Sequence, residues 1–387
     1  MRICLVATVP FVLRHHLRSQ IQAAISAGHE VHLVSSAASD FQDEIRDDCD
    51  IAGAHFHAIE IPRKISPTAD LRALVILYNY FRKTRFDIVH SVTSKAGLLC
   101  ALAAKMARVP IRLHTFAGQP WARLSGPARW IARACDRIVI RVNTQCYADS
   151  ESQKTFLVEE GIGRSDSIKT LGAGSIAGVD LVRFSPGRFE KDRIRAELAI
   201  PLNARVIVFV GRVARDKGIR ELVAAFDRLS RMGAENICLL IVGPLESAQE
   251  TLAEDTRGIM DRDHRIKMIG YSDEPEKYLA IADVFCLPSY REGFGSVVIE
   301  AAAMGVPSVV TRVVGLVDAV EEEETGLFVP PNDVDALAGA LARLLGDDEL
   351  RERMGLAAKN RACALFDSVA VNQLVIFEYA RLAALRR

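Results

Sequence analysis

Two doubly wound α/β domains are what this chain predicts, and three observations predict them. Short apolar runs alternate with stretches of helical period from one end to the other. The rhythm breaks at the turn-rich Ser185–Gly187 and then restarts. The 387 residues are also more than one ordinary core accommodates. No short repeat of the solenoid kind runs through them.

In order, Arg2–Thr8 (RICLVAT) has the pattern of a buried strand. His16–Ala27 places Leu17, Ile21, Ala24 and Ile25 on one helical face, Gly28 ends it, and Val31–Ser35 is the next strand. Asp70–Arg82 has helical period. Asp87–Ser91 is a strand, Ala96–Ala107 a helix and Ile111–Thr115 a strand. Cys146–Ser150 reads as a strand, with Ser150 capping a helix to about Glu160. After the break, Arg205–Val210 is a strand, Gly218–Arg231 a helix and Ile237–Val242 a strand. Ile266–Ile269 follows, then a helix over Pro275–Ala282, a strand at Asp283–Leu287, a helix from Ser296 and a strand at Ser308–Thr311. Val334–Leu345, Glu349–Ala364 and Ser368–Leu385 close the chain as helices. Sheets of this kind bind ligands at the carboxyl ends of their strands, so a cleft between the two halves is the expected site.

Composition excludes several classes. Half the residues are hydrophobic and a quarter charged, as in ordinary globular proteins. The 49 Lys and Arg balance the 49 Asp and Glu, which argues against a general nucleic-acid binder. The eight cysteines are scattered, with no C-x-x-C pair and no histidine cluster at ligand spacing. Neither a zinc site nor a disulfide framework is expected, and a reducing cytoplasm fits. Arg2–Val9 opens as a strand rather than a signal peptide, and no apolar stretch reaches the length of a membrane span. The balance of charge is uneven along the chain. Residues 1–190 hold 24 Lys and Arg against 18 Asp and Glu, most of the excess lying between Arg63 and Arg141. Within it, Arg123, Arg129, Arg133, Arg137 and Arg141 recur at roughly helical spacing among Trp130, Ile131 and Ile138. That series suits either the wet face of a surface helix or a patch resting on anionic membrane.

Two loops carry the chemistry. Gly211-Arg212-Val213-Ala214-Arg215-Asp216-Lys217-Gly218 directly follows a strand, so Arg212 and Lys217 are cations held at a helix start, where a diphosphate leaving group gathers negative charge. Ser289–Met304 (SYREGFGSVVIEAAAM) is a strand end, a glycine-bearing loop and a helix that Ser296 can cap. Gly293 and Gly295 allow close approach of backbone to a ligand. Glu292 stands beside that anion seat and Glu300 about one turn inside the helix. The pair suits acceptors for sugar hydroxyls, and equally two solvated side chains. Asp261-Arg262-Asp263 has the D-x-D spacing of a metal site, but lies in a charged helix-to-strand connection and reads as solvated loop.

With these loops in hand, the chain resembles the retaining glycosyltransferases of family 4, the group 1 transferases with the GT-B fold. GRVARDKG, the VGP turn at Val242–Pro244, IGY at Ile269–Tyr271, ADVFCLPSYREGFGSVVIEAAAMGVP at Ala282–Pro307 and ETGLFVPPND at Glu324–Asp333 occur in family order. His90–Pro110, His114–Trp121 and Gly172–Pro186 are similar to bacterial members that build lipopolysaccharide, capsule or exopolysaccharide. The resemblance implies two facing Rossmann-like domains. Residues 1–185 would bind acceptor, residues 186–367 would bind nucleotide sugar, and residues 368–387 would cross back onto the first domain. It implies that Arg212 and Lys217 hold the donor diphosphate, Glu292 the transferred sugar and Glu300 the ribose. The backbone at Phe294, Gly295 and Ser296 would seat phosphate, Gly211, which lets the strand end turn, would belong to the same donor site, and Gly243 and Tyr271 would lie near the base.

The chain departs from its relatives in two places. Pro10-Phe11-Val12-Leu13 stands before His15 and His16 where many have a glycine pair, and Ala117 stands where many have a histidine. His114 ends a buried-looking strand and reads first as structural, while Lys95, His114 and His15 remain acceptor-side candidates. The expected activity is retaining, metal-independent transfer of a hexose or N-acetylhexosamine, with no cofactor. The expected donor is a UDP-sugar and the acceptor a lipid-linked saccharide. The enzyme would lie peripherally on the inner face of the cytoplasmic membrane, held by its basic first domain. The alternatives are a sugar-nucleotide 2-epimerase of the same fold or a non-catalytic nucleotide-binding assembly protein. A nicotinamide dehydrogenase is disfavoured because no G-x-G-x-x-G follows the first strand.

Overall fold

The structure, a computed structural model, describes residues 1–36, 51–62, 65–245 and 252–386. Arg63, at the start of the basic stretch, and Arg387, at the end of the expected last helix, lie outside them. The chain divides into two compact units, residues 1–178 with 368–387, and residues 179–367.

The first unit runs β1 (Arg2–Val6), α1 (Arg18–Ser26), β2 (Glu30–Ser35), β3 (Ala54–Ala58), α2 (Pro67–Thr84), β4 (Ile88–Val92), α3 (Ser94–Met106), β5 (Ile111–Phe116), α4 (Gly126–Val142), β6 (Gln145–Ala148), α5 (Glu151–Glu159) and β7 (Ile168–Thr170). Its seven strands are all parallel, in the order β3-β2-β1-β4-β5-β6-β7. Alternation along β1 sends Cys4 and Val6 to one face, against Leu77 and Phe81 of α2 and Cys100 of α3. Leu5 and Ala7 go to the other face, against Leu17 and Ile21. Both faces are therefore buried, which is why these strands read as unbroken apolar runs. Two termini follow local rules the sequence announces. Gly28, at φ +78°, closes α1 with His29 N–H bonded to Ala24 O. Ser150 Oγ accepts the Gln153 N–H at 3.1 Å and caps α5.

The second unit runs α6 (Lys191–Glu197), β8 (Arg205–Val210), α7 (Ile219–Arg231), β9 (Ile237–Val242), α8 (Glu254–Arg262), β10 (Ile266–Gly270), α9 (Pro275–Leu279), β11 (Val284–Leu287), α10 (Ser296–Ala303), β12 (Ser308–Thr311), α11 (Leu316–Ala319), β13 (Gly326–Val329), α12 (Val334–Gly346) and α13 (Asp348–Leu365). Its six parallel strands take the order β10-β9-β8-β11-β12-β13. The last helix, α14 (Ser368–Ala384), follows this unit in sequence but belongs to the first. It covers Ile3, Ile88 and Leu113 with Val375 and Tyr379. The Tyr379 hydroxyl accepts from Gln20 Nε2 at 3.1 Å and lies 2.8 Å from His90 Nδ1.

Six elements go beyond the sequence reading: β3, β7, β13, α6, α8 and α11. Each is short or polar. β3 (AHFHA) is an edge strand without a β-branched residue and with both faces largely exposed. α8 takes in Asp261 and Arg262, so the D-x-D motif straddles a helix end rather than lying in loop.

Candidate active site

Three glycines set the floor of the site in the second unit. Gly211, Gly243 and Gly270 stand at the carboxyl ends of β8, β9 and β10. Gly211 N–H bonds to Val242 O at 2.9 Å and Gly243 N–H to Gly270 O at 2.7 Å. A side chain on Gly243, whose φ is +143°, would bring its first carbon within 1.9 Å of Gly211 O. Only glycine lets the two strand ends meet so closely.

The loop after β8 is then stitched to the loop after β11. Gly218, at φ +70°, precedes α7 and leaves no room for a side chain against Pro288 O. Tyr290 N–H bonds to Asp216 O at 2.9 Å. The backbone contacts bring Lys217 Nζ to 2.6 Å from Glu292 Oε1, with both side chains mostly shielded. Arg212, five residues before Lys217, lies 3.7 Å from the Asp216 carboxylate. The structure thus brings Lys217 and Glu292 together as an ion pair, with Arg212 on the same loop.

The helix that follows starts differently from the sequence reading. Gly295, at φ +83°, occupies the cap position of α10, and no side chain caps it. Ser296 is the first helical residue, so it is not the cap. A serine at position 295 would be strained at that φ and would collide with Leu316. The uncapped first turn leaves N–H donors for an anion. Phe294 sends its ring inward onto Phe366, 5.2 Å away, and offers only backbone to a ligand.

Glu300 lies in α10, where burial pushes its carboxyl up to about 7; Arg183 works against that rise and Glu276 adds to it. Arg183 is forked onto Glu276, with Nε and a terminal nitrogen each 2.8 Å from a carboxylate oxygen, and it also donates to Asp273 O. Tyr271 donates to Asp273 Oδ1 at 2.7 Å. Arg183 and Glu276 escape a sequence reading because they lie 93 residues apart and in no shared motif.

The remaining candidates lie in the first unit. Lys95, in the first turn of α3, pairs with Asp70 Oδ1 at 2.7 Å. His114 is buried in β5, its Nδ1 3.0 Å from Ser91 Oγ and its ring packed against Gly97. Burial, with His90 beside it, holds it down at about 3, so it is neutral at neutral pH. His15 sits in a single turn of π-helix, Val12–His16, with its ring centroid 4.4 Å from that of Phe11. Two residues at strand carboxyl ends here were not legible. Thr93, between β4 and α3, holds φ +78°, a strained value for a β-branched residue, with Thr8 Oγ1 2.7 Å from its own Oγ1. Asp149, after β6, is pushed up to about 7 by burial, and its Oδ1 has no hydrogen-bond partner among the described residues. Strain and burial are properties of the folded chain, and no spacing announces them.

Comparison with known proteins identifies the family and the fold. The family described as glycosyl transferases group 1 matches residues 190–361, and the glycosyl transferase 4-like domain matches residues 13–174. The capsular polysaccharide biosynthesis glycosyltransferase CapM of Staphylococcus aureus is 31% identical over 353 residues, 91% of this chain and 90% of that one. A D-inositol 3-phosphate glycosyltransferase of Corynebacterium efficiens is 33% identical over 290 residues, 72% of this chain and 67% of its own. The UDP-Gal:alpha-D-GlcNAc-diphosphoundecaprenol alpha-1,3-galactosyltransferase of Escherichia coli is 27% identical over 315 residues, 79% and 78% of the two chains. Among solved structures, Anabaena HepE in complex with UDP and glucose superposes with a TM-score of 0.80 at 18% identity, covering 98% of this chain and 99% of its own. That likeness extends the shared architecture across both units. The chain belongs to the group 1 glycosyltransferases: it is a glycosyltransferase of the GT-B fold.

Proposed function

We propose that this enzyme is a retaining, metal-independent transferase of family 4. It moves a hexose or N-acetylhexosamine from a UDP-sugar to a lipid-linked saccharide in the synthesis of bacterial surface polysaccharide. The observation that carries this reading is the Lys217–Glu292 ion pair, 2.6 Å long, on the loop beside an uncapped helix start. A diphosphate entering there takes Lys217 as its counter-charge, together with Arg212 and the first N–H groups of α10. Glu292 is released to accept hydrogen bonds from the sugar, and Glu300 accepts from the ribose. Gly211 lets the backbone approach, and Gly243 and Tyr271 lie towards the base. As the bond to the sugar breaks, charge on the leaving oxygen grows between fixed cations, which is the work a divalent ion does elsewhere. The resemblance to retaining transferases, with no side chain among the described residues standing out as a covalent nucleophile, supports entry of the acceptor on the face the diphosphate leaves, so that configuration is retained.

The second unit takes the donor role in this reading and the first unit the acceptor role, with Lys95 and Asp149 at its strand ends. The acceptor class is supported by the words describing the Staphylococcus and Escherichia relatives and by α4. That helix exposes Trp130, Ile131 and Ile138. Of its arginines, Arg129 and Arg133 are turned back onto Glu160, and Arg137 onto Gly161 O. Arg141, at its end, is exposed. The spacing suggests a basic patch, but with three arginines paired inward the membrane reading rests on the exposed Trp130, Ile131 and Ile138 with Arg141, set against the inner face of the cytoplasmic membrane. Among the described residues no helix is long and apolar enough to cross one.

The test is transfer from radiolabelled UDP-sugars to lipid-linked acceptor, in anionic vesicles or detergent, without added metal. An organic-soluble product is expected. Glu292→Ala should abolish turnover while UDP still binds, and Trp130→Asp should slow transfer on vesicles but not in detergent. Strict dependence on a divalent ion, full activity of Glu292→Ala, or transfer only to water-soluble acceptors would overturn the reading. Conversion of donor without acceptor would favour the epimerase.

A further inference from the structure

The edge of the first sheet carries a cluster that the donor site does not use. Parallel pairing of β2 with β3 sets His32 directly opposite His55. Their ring centroids are 4.9 Å apart. Glu30, two residues before His32 on the same face of β2, brings its Oε1 to 2.9 Å from His32 Nε2. Among the described residues, only Glu30, His32 and His55 bring three such ligand atoms within 4.8 Å of one another. His32 is buried, and its other nitrogen is taken: Nδ1 lies 2.8 Å from the Tyr80 hydroxyl. Phe86 walls the ring edge-on at 5.0 Å, and His57 stacks on it at 5.6 Å.

We propose that Glu30, His32 and His55 form a binding site for a late first-row divalent cation, zinc foremost, that ties the edge strand β3 to β2. The donor set of two imidazoles and one carboxylate is the chemistry zinc takes, at about 2.0–2.2 Å per bond. Ligands of a tetrahedral ion then stand roughly 3.3 Å apart, a separation the cluster reaches with small side-chain shifts. The Tyr80 contact does what outer-shell partners of metal-bound histidines do. It fixes the ring and leaves Nε2 aimed at the ion. In the ion-bound state Nδ1–H donates to the Tyr80 hydroxyl and Nε2 gives its lone pair to the ion. With no ion, Tyr80 O–H can donate to Nδ1 and Nε2–H to the Glu30 carboxylate, so the ion takes the place of a proton. Arg2 Nε, 2.9 Å from Glu30 Oε1, orients that carboxylate. The fourth position falls to water. Glu30 begins β2, so the site lies towards the amino end of the strands, away from the carboxyl ends where sheets of this kind hold substrate. The ion would therefore hold β3 in place rather than take part in transfer.

The experiment uses the full chain without a polyhistidine tag, stripped with EDTA and desalted, then titrated calorimetrically with zinc chloride. One ion per chain is expected. His55→Ala and Glu30→Gln should each weaken binding at least tenfold, Tyr80→Phe should weaken it by about 10- to 100-fold, and circular dichroism should be unchanged. Cobalt(II) in place of zinc should give visible absorption that His55→Ala abolishes. No saturable binding, or binding that survives His55→Ala or is lost only in His57→Ala, would overturn the proposal.

Discussion

In the proposed donor site, Glu300 is the residue whose charge state bears most directly on donor affinity. An ionised carboxylate offers both oxygens, with full charge, to the ribose hydroxyls, a protonated one is a weaker acceptor, and burial holds this one up at about 7 against an ordinary 4.5. Below that value the folded chain keeps the proton; above it the group is charged. Affinity for UDP should therefore rise with pH between 6 and 8, by up to about tenfold per unit on the acid side. Glu300→Gln should bind weakly with a flat profile, as titration calorimetry at several pH values would read. An equal pH dependence in the variant would assign the effect elsewhere. At this scale the sequence was partly legible. Arg212, Lys217 and Glu292 stand in loops, and Glu300 in the helix after one, whose glycines and helix starts single them out as candidates. Arg183 and Glu276 do not, because their pairing is made by the fold. His32 and His55 are 23 residues apart and become neighbours only through strand register, so the expectation of no histidine cluster at ligand spacing held in the sequence and not in space.

Among the elements, the buried strands were plain because both of their faces are covered and nothing polar interrupts them. What stayed hidden was marginal: the edge strand β3, the three-residue β7 and the glycine-led β13, each too short or too polar to show a period. The helix cap moved by one residue, from Ser296 to Gly295, because backbone packing against Leu316 outweighs the hydroxyl's preference. The joint between β8 and β9 is the element-scale feature most open to test. Gly243→Ala has no space to enter, so it should cost at least about 2 kcal/mol. A fall in melting temperature together with loss of UDP binding is expected. Wild-type behaviour of that variant would mean that the two strand ends stand further apart than described.

For the molecule as a whole, two α/β units follow from rhythm and length, whereas the seat of α14 joins an apolar cover over Ile3, Ile88 and Leu113 to polar contacts that no periodicity reveals. Tyr379 is buried, with His90 and Gln20 on its hydroxyl. Burial holds His90 down at about 4, so it is neutral at pH 7 and relies on hydrogen bonds rather than charge. Tyr379→Phe takes the partner from His90 Nδ1 and Gln20 Nε2, leaves His90 Nε2 on Thr115, and should lower stability by about 1–3 kcal/mol. The urea midpoint should fall, and UDP affinity in the second unit should be unchanged. If UDP affinity falls as well, α14 does more than complete its own sheet.

The placement of α14 also bears on how the protein is made. Most of the first unit is made before the second, yet part of one face of its sheet, at Ile3, Ile88 and Leu113, stays bare until α14 appears. Domains ordinarily fold as they are synthesised. This one must wait until α14 has been made, so a chain cut short before Ser368 would carry a finished second unit behind an unfinished, adhesive first.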